Sequence, residues 1–230
     1  LMASMRILRM EIPLEFTLEY LESEILKTIN ALNLNNARVR LTVFRNGEGR
    51  YKPEQRTVSF VIVAESTGAV YVNTTNKYEV ELFKDFHVSK HLLSTLKTTS
   101  CLINITASIF AEENGYENCL LINDKKNVIE AINGNIFVIK DNIVSTPPIA
   151  DGCKNGIIRK KLIEIINKTD NLTFEERSIS PFELQKADEI FITNIAVGIQ
   201  SVTQYRKKMF ANTIANSLLM KLNAQIKFNS

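Results

Sequence analysis

The sequence has too few metal-binding and disulfide-forming residues for a small cross-linked or zinc-stabilised domain. It holds three cysteines, Cys101, Cys119 and Cys153, and two histidines, His87 and His91. The cysteines are widely spaced and include no CxxC pair, so their spacing matches neither a zinc site nor a disulfide framework. We therefore predict a chain that keeps its thiols reduced, in the cytoplasm.

Long apolar runs and strongly basic tracts are also missing. No apolar stretch approaches the roughly 18 residues that a membrane-spanning helix needs, and the first residues lack a signal-peptide pattern. The net charge is only +3, and no basic tract carries interleaved aromatic residues. The sequence therefore predicts no contact with membranes or nucleic acid.

What is present is an ordinary globular composition, 45% hydrophobic and 23% charged over 230 residues, which suits one large or two modest domains. After Thr17, a helix-capping residue, apolar side chains recur at helical spacing. Alternation in "ARVRLTVFR" then predicts a strand, and "TVSFVIVAES" and "KYEVELFKDF" resemble two more. These strands would form one helix-flanked sheet within residues 1–88.

In the second half of the chain, short predicted strands alternate with predicted helices. A helix is predicted after Lys97 to about Glu113, followed by short strands with a hairpin turn at Asn133–Gly134. Another helix should begin near Asn155, "ADEIFITNI" reads as a strand, and the C-terminal stretch is amphipathic. We predict an α/β fold of two domains. Their ranges are 1–90, a small N-terminal domain, and 91–230, a larger one.

Four separate stretches carry residues suited to chemistry. Lys97 stands where a strand-like segment gives way to a helix, and Glu130 lies on a predicted strand just before a tight turn. "GCKNGIIR", residues 152–159, is a glycine turn that opens a helix. "ITNIAVGIQSV", residues 192–202, is a strand end followed by a turn. Each of these alone is also typical of an ordinary solvated element end.

Together these features suit one cofactor, pyridoxal 5'-phosphate. It needs a lysine amine for Schiff-base attachment, a carboxylate facing its pyridine nitrogen and a cradle for its phosphate. The free N–H groups at a helix N-terminus supply such a cradle, and the helix dipole strengthens it. Each feature alone is weak, and one lysine with one glutamate does not single out this cofactor, so the order and the flanking motifs decide.

Three ordered motifs make the chain resemble the class IV aminotransferase family, the fold type IV pyridoxal phosphate enzymes. They are "LKTTSCLINITASIFAEENGYENCLLINDKKNVIEAINGNIF", "STPPIADGCKNGIIR" and "ADEIFITNIAVGIQSV". The resemblance implies the α/β architecture of D-amino acid aminotransferases, a large cofactor-binding domain and a homodimer. It also implies a further segment ahead of Leu1, with an arginine that helps to hold the phosphate.

The resemblance also assigns roles to individual residues. Lys97 would attach the cofactor and later move a proton, and Glu130 would face the pyridinium nitrogen. Ile195 stands where many relatives have a hydroxyl side chain, so only its backbone could bind. The phosphate would be held at two places, by the N–H groups of Ile157 and Ile158 and by the turn at Asn194 and Ile195.

Within the family, the residues favour an aminodeoxychorismate lyase. Such an enzyme releases pyruvate and 4-aminobenzoate from 4-amino-4-deoxychorismate, a step of folate biosynthesis. Branched-chain aminotransferases usually have a tyrosine four or five residues after the lysine, where this chain has Cys101 and Leu102. The loop "RNGEGRYKP", residues 45–53, resembles a loop of the lyases. Arginine forks suit substrate carboxylates, so the candidate substrate-binding residues are Arg45, Arg50 and Tyr51.

Two other functions stay open from the sequence. One is a class IV transaminase acting on a branched-chain or D-amino acid, since the cofactor machinery is shared and a few pocket residues choose the reaction. The other is a non-catalytic paralogue that keeps the fold. The polar loop at 45–53 is also typical of a hairpin connection with no role in binding.

Overall fold

Two compact units divide the chain, residues 1–69 and 70–230. The computed structural model describes residues 1–73 and 76–229. In the described residues no helix is both long enough and apolar enough to cross a membrane.

The first unit combines two helices with a β-hairpin, in the order α1 Met2–Ile7, α2 Leu18–Ala31, β1 Ala37–Arg45 and β2 Val58–Ser66. α2 begins where predicted because the Thr17 hydroxyl accepts a hydrogen bond from the Tyr20 N–H at 3.1 Å. Phe16, just ahead of the N-cap, packs on the hairpin, where its ring meets the Phe60 ring edge-on at 5.5 Å between centroids. An isolated two-stranded hairpin is marginal in water, so this aromatic contact supplies apolar cover that it needs.

The second unit is built on one ten-stranded mixed sheet. Its strands are β3 Glu79–Leu82, β4 Asn118–Ile122, β5 Val128–Ala131, β6 Gly134–Lys140, β7 Ile143–Thr146, β8 Thr173–Glu176, β9 Glu189–Asn194, β10 Gly198–Val202, β11 Gln204–Tyr205 and β12 Lys208–Met209. The main path runs β10-β9-β6-β5-β4-β3-β11-β12, and β7 pairs with β6 and β8. Its helices are α3 Leu102–Asn114, α4 Ile157–Ile166, α5 Pro181–Leu184 and α6 Thr213–Asn229.

The central strands are buried on both faces, which explains their nearly continuous apolar runs. One face of the sheet packs against α4 and α6 through a cluster that includes Phe137 and Phe191, whose rings stack at 4.9 Å. α6 is held at its start by Glu189, which is buried. The Glu189 carboxylate accepts the N–H groups of Ile214 and Ala215, both at 2.9 Å, as a helix N-terminus favours a negative charge.

The position of β3 differs from the sequence-based expectation of one sheet in residues 1–88. β3 does not join the hairpin of the first unit. It pairs in parallel with β4, with Val80 opposite Asn118, and on its other side with β11. The division at residue 69 therefore falls before this strand, whereas the sequence placed the boundary near residue 90. Strand pattern alone does not reveal which sheet a strand joins.

The β5–β6 hairpin is present, but its turn lies one residue earlier than predicted. Ala131 pairs with Gly134, so the loop is Ile132–Asn133, and neither residue has a positive φ. Gly134 is instead required by a close approach. A Cβ there would lie 2.6 Å from the Thr193 carbonyl oxygen of β9, which only glycine avoids.

Candidate active site

Glu130 lies at the centre of the large sheet, on β5. The register puts it opposite Asn135 of β6, and Asn135 opposite Thr193 of β9. Neighbouring strands are about 4.8 Å apart. The backbones of Glu130 and Thr193, which are two strands apart, therefore lie about 10 Å from each other. Two of the motifs found in the sequence therefore meet on one row of the sheet.

The Glu130 carboxylate is buried, with its side chain 3% exposed. Both of its oxygens accept hydrogen bonds from one residue, Lys154. The Lys154 ammonium donates to Oε1 at 2.7 Å, and the Lys154 backbone N–H donates to Oε2 at 3.1 Å. A buried charge is tolerated when it is paired and hydrogen-bonded in this way.

The loop that carries Lys154 is itself fixed to the sheet. Asn135 donates its side-chain N–H to the Lys154 carbonyl at 2.7 Å, and the Gly156 N–H donates to the same carbonyl at 3.0 Å. Gly152, at φ +104°, turns the chain into this loop, a conformation that suits glycine. The carboxylate, the row of strands and the start of α4 thus form one connected structure.

The N-terminus of α4 offers free backbone donors. Gly156 is its N-cap and has no side chain to accept from the first turn, so in the described parts of the chain no cap bond occupies the N–H groups of Ile157 and Ile158. A ten-residue helix also concentrates positive potential at this end. These donors fit an anionic group such as a phosphate.

The turn between β9 and β10 is the second predicted phosphate contact. The Asn194 side-chain oxygen accepts the N–H groups of Ala196 at 2.9 Å and Val197 at 3.1 Å. The Tyr71 hydroxyl donates to the Ile195 carbonyl at 2.8 Å. This carbonyl and the Asn194 oxygen are therefore already used within the protein, and the Ile195 N–H is the backbone donor that the turn can offer.

Lys97 lies in an exposed loop between a short 3₁₀ helix, Leu92–Thr95, and α3. The expected strand before it is thus a 3₁₀ helix. Within the described ranges its ammonium forms no hydrogen bond or ion pair.

The loop that carries Lys97 is held on both sides near the site. A Cβ on Gly152 would lie 3.2 Å from the Ser94 hydroxyl oxygen, and Asn104 donates to the Ile132 carbonyl at 2.6 Å. Gly152 precedes Lys154 by two residues, and Ile132 follows Glu130 by two. Residues on both sides of Lys97 are therefore near the segments that carry Lys154 and Glu130, and the approach of the Lys97 ammonium to Glu130 stays a prediction.

The predicted substrate residues lie in the first unit, and the structure gives them no common partner. Arg45 ends β1, and its guanidinium donates to the Leu8 carbonyl, while its Nε is buried with no partner in the described residues. Arg50 and Tyr51 are exposed in the loop after β1, the tyrosine fully so. Their role in substrate binding stays a prediction.

Cys153, next to Lys154, has no features of a nucleophile. It is fully buried, and burial raises the pKa of its thiol to about 12. The pKa of the Cys119 thiol is also raised to about 12 by burial. No group of three or more potential metal ligands occurs in residues 1–73 and 76–229.

Three residues of the site were not singled out in the sequence. Lys154 lies inside the quoted "GCKNGIIR", but nothing in a linear pattern pairs it with a carboxylate on a distant strand. Asn135 follows the hairpin glycine and could have been suspected as a polar residue in an apolar run. Tyr71 gave no signal at all.

The arrangement fits the needs of a phosphate-bearing pyridine cofactor. It provides a buried carboxylate for a ring nitrogen and free helix N–H groups for a phosphate, and Lys97 stays the predicted amine for covalent attachment. Comparison with known proteins agrees: the family model described as amino-transferase class IV matches residues 1–205. The chain belongs to the class IV aminotransferase family, and the membership predicted from its motifs is confirmed.

Individual relatives differ in their assigned reactions. A protein of Methanocaldococcus jannaschii assigned as a branched-chain-amino-acid aminotransferase is 26% identical over 97% of this chain and 77% of its own length. Several further curated relatives, most of them branched-chain aminotransferases, match over 43–50% of this chain and 24–38% of their own lengths. The names of these relatives therefore favour a transaminase.

Solved structures confirm the fold. A Legionella pneumophila protein assigned as a 4-amino-4-deoxychorismate lyase superposes with a TM-score of 0.85 at 23% identity, covering 96% of this chain and 81% of that one. The branched-chain amino acid aminotransferase of Thermobaculum terrenum, solved in its pyridoxal phosphate form, gives 0.83 at 19% identity, covering 98% and 75%. At these identities the likeness establishes the α/β architecture and does not choose a reaction.

Proposed function

We propose that this chain is a pyridoxal phosphate enzyme whose reactive amine is Lys97. The observation that carries the proposal is the buried Glu130 carboxylate, joined through Lys154 and Asn135 to the free N–H groups at the start of α4, in a chain whose family contains enzymes solved with this cofactor. When bound, pyridoxal phosphate draws electrons from the carbon next to the substrate nitrogen. Glu130 would hold a positive charge at the pyridine nitrogen, and the N–H groups of Ile157 and Ile158 would hold the phosphate.

Of the reactions open to the family, we favour the release of pyruvate and 4-aminobenzoate from 4-amino-4-deoxychorismate. Support comes from Cys101 and Leu102. Cys101 caps α3 and Leu102 is 74% exposed, so no aromatic hydroxyl stands just after the lysine. In this reaction Lys97 would move protons between substrate carbons. Arg45, Arg50 and Tyr51 are the candidates for the substrate carboxylates.

Transamination of a branched-chain or D-amino acid is the second candidate, favoured by the names of the relatives. The two reactions are separated by assaying the same preparation in two channels. One follows pyruvate and 4-aminobenzoate, and the other follows amino transfer from L- and D-amino acids to 2-oxoglutarate. We expect product in the first channel. Turnover in the second alone would mean that the transaminase is right and the lyase wrong.

Lys97→Arg tests the amine in both channels, because arginine keeps the charge but forms no stable Schiff base. We expect kcat/KM to fall by about 10²–10⁴-fold or more, with no change in folding because Lys97 is exposed. Lys168→Arg, at another exposed lysine, is the matched control. Borohydride reduction followed by peptide mass mapping should place the cofactor on the Lys97 peptide, and a label on another lysine would refute the assignment.

A further inference from the structure

Both oxygens of the Glu130 carboxylate already accept a hydrogen bond from Lys154. The ammonium and the backbone N–H of this single residue occupy Oε1 and Oε2. The two contacts differ in freedom. The N–H belongs to a backbone held by Asn135 and Gly156, whereas the ammonium ends a flexible four-carbon stem.

The ammonium also has a route out of the site. The Lys154 side chain is 33% exposed, although the carboxylate that it meets is 3% exposed. A rotation of the stem can therefore bring the charge to water while the backbone bond to Oε2 stays intact. A lysine that snorkels in this way gains hydration when its ammonium leaves the carboxylate, which offsets part of the lost ion pair.

A protonated pyridine nitrogen and an ammonium are equivalent in what they offer to a carboxylate, since each is a cationic N–H donor. Two cations that both donated to Oε1 would lie close together and repel each other, so Oε1 can be the close partner of only one of them. An unpaired buried carboxylate costs several kcal/mol, so one of the two donors must be present. We propose that Lys154 is the resident counter-ion of Glu130, which neutralises the site before loading and must release Oε1 to the cofactor nitrogen.

This inference rests on the proposed function, because it assumes that pyridoxal phosphate binds with its nitrogen at Glu130. It assigns Lys154 as a positioning residue that sets cofactor affinity by competition. Removal of the ammonium should therefore strengthen binding, although it removes an ion pair. A lysine with a purely structural role would produce the opposite result or none.

The test measures the dissociation constant of pyridoxal phosphate by equilibrium dialysis, together with the melting temperature of the cofactor-free protein. Lys154→Met should bind at least about tenfold more tightly than the wild type, which corresponds to about 1.4 kcal/mol, and melt at a lower temperature without cofactor. Lys154→Arg, which keeps the cation, should bind like the wild type. Lys154→Gln serves if the methionine variant fails to fold.

Two controls isolate the competition. Lys90 pairs with the buried Asp151 at 3.1 Å, so Lys90→Met removes a similar ion pair and should lower the melting temperature with no gain in affinity. The second control is 1-deazapyridoxal 5'-phosphate, in which carbon replaces the ring nitrogen. This probe has no ring N–H that could donate to Oε1, so Lys154→Met should bind it no more tightly than the wild type does.

The outcomes separate this inference from the proposed function. If the wild type binds pyridoxal phosphate and Lys154→Met binds it no better, the competition is refuted and the function stands. Equal gains for both probes would refute it too, because they would indicate added space and not a vacated oxygen. If neither the wild type nor any Lys154 variant binds pyridoxal phosphate, the function and the inference fall together.

Discussion

A methyl group at Gly156 should damage the site through one side chain, Asn135. The glycine backbone is extended, φ −65° and ψ 146°, so alanine adopts it without strain. The added Cβ would instead overlap the Asn135 side-chain oxygen. Asn135 is 5% exposed and tied to the Lys154 carbonyl, so it cannot move aside without losing that hydrogen bond.

The magnitude follows from two terms. Overpacking a buried site costs about 1–3 kcal/mol, and the lost hydrogen bond costs about 1 kcal/mol more. We therefore expect Gly156→Ala to lower the free energy of unfolding by about 2–4 kcal/mol, measured by urea denaturation at an unchanged m-value. Cofactor affinity should fall as well, since the start of α4 and the loop at Lys154 must shift.

A double-mutant cycle tests the reasoning. In an Asn135→Ala background the overlapping oxygen is gone, and Gly156→Ala should then cost less than about 0.5 kcal/mol. The control is Gly115→Ala, where the Cβ would meet nothing within 4 Å but φ is +72°. Its cost of about 1 kcal/mol comes from the backbone and should not depend on Asn135. If the Gly156→Ala cost is the same in both backgrounds, the clash is not its cause.

Two further predictions concern stability and thiol chemistry. Glu189→Ala should lower the free energy of unfolding by about 2–3 kcal/mol, because two N–H groups at the start of α6 lose a charged acceptor; urea melts check this, and the exposed Glu164→Ala should change it by less than about 0.5 kcal/mol. At pH 8 in the native protein, a thiol reagent should modify Cys101 only, since burial raises the pKa values of the Cys119 and Cys153 thiols to about 12. Complete labelling without denaturant would contradict the second prediction.

Local patterns were enough for much of the fold. The capping hydroxyl of Thr17 and the helical spacing after it predicted α2, and alternation predicted β1 with both its ends. Both features depend on neighbours within a few residues, so periodicity records them. The family was likewise predictable, because its three motifs preserve order and spacing. β3 was assigned to the wrong sheet, since pairing partners are distant in the chain.

The predicted site was incomplete for the same reason. Lys97 and Glu130 were predicted from residue type and motif, but the partner of the Glu130 carboxylate was not. Lys154 reaches Glu130 only because Asn135, next to Glu130 in the sheet, holds the loop before α4 beside the carboxylate. The need for glycine at position 134 also arises across strands, from the Thr193 carbonyl, and the turn chemistry expected there does not explain it.

The crossover between β3 and β4 has a consequence for the order in which the site assembles. Glu130 sits on a short hairpin, which closes rapidly because its partners are a few residues apart. Lys97 is carried by residues 83–117, which link two parallel neighbouring strands and must close a long loop before they are held in place. During folding, Glu130 should therefore reach its position early and Lys97 late. During refolding, far-ultraviolet structure should return before the protein regains the capacity to capture an aldehyde.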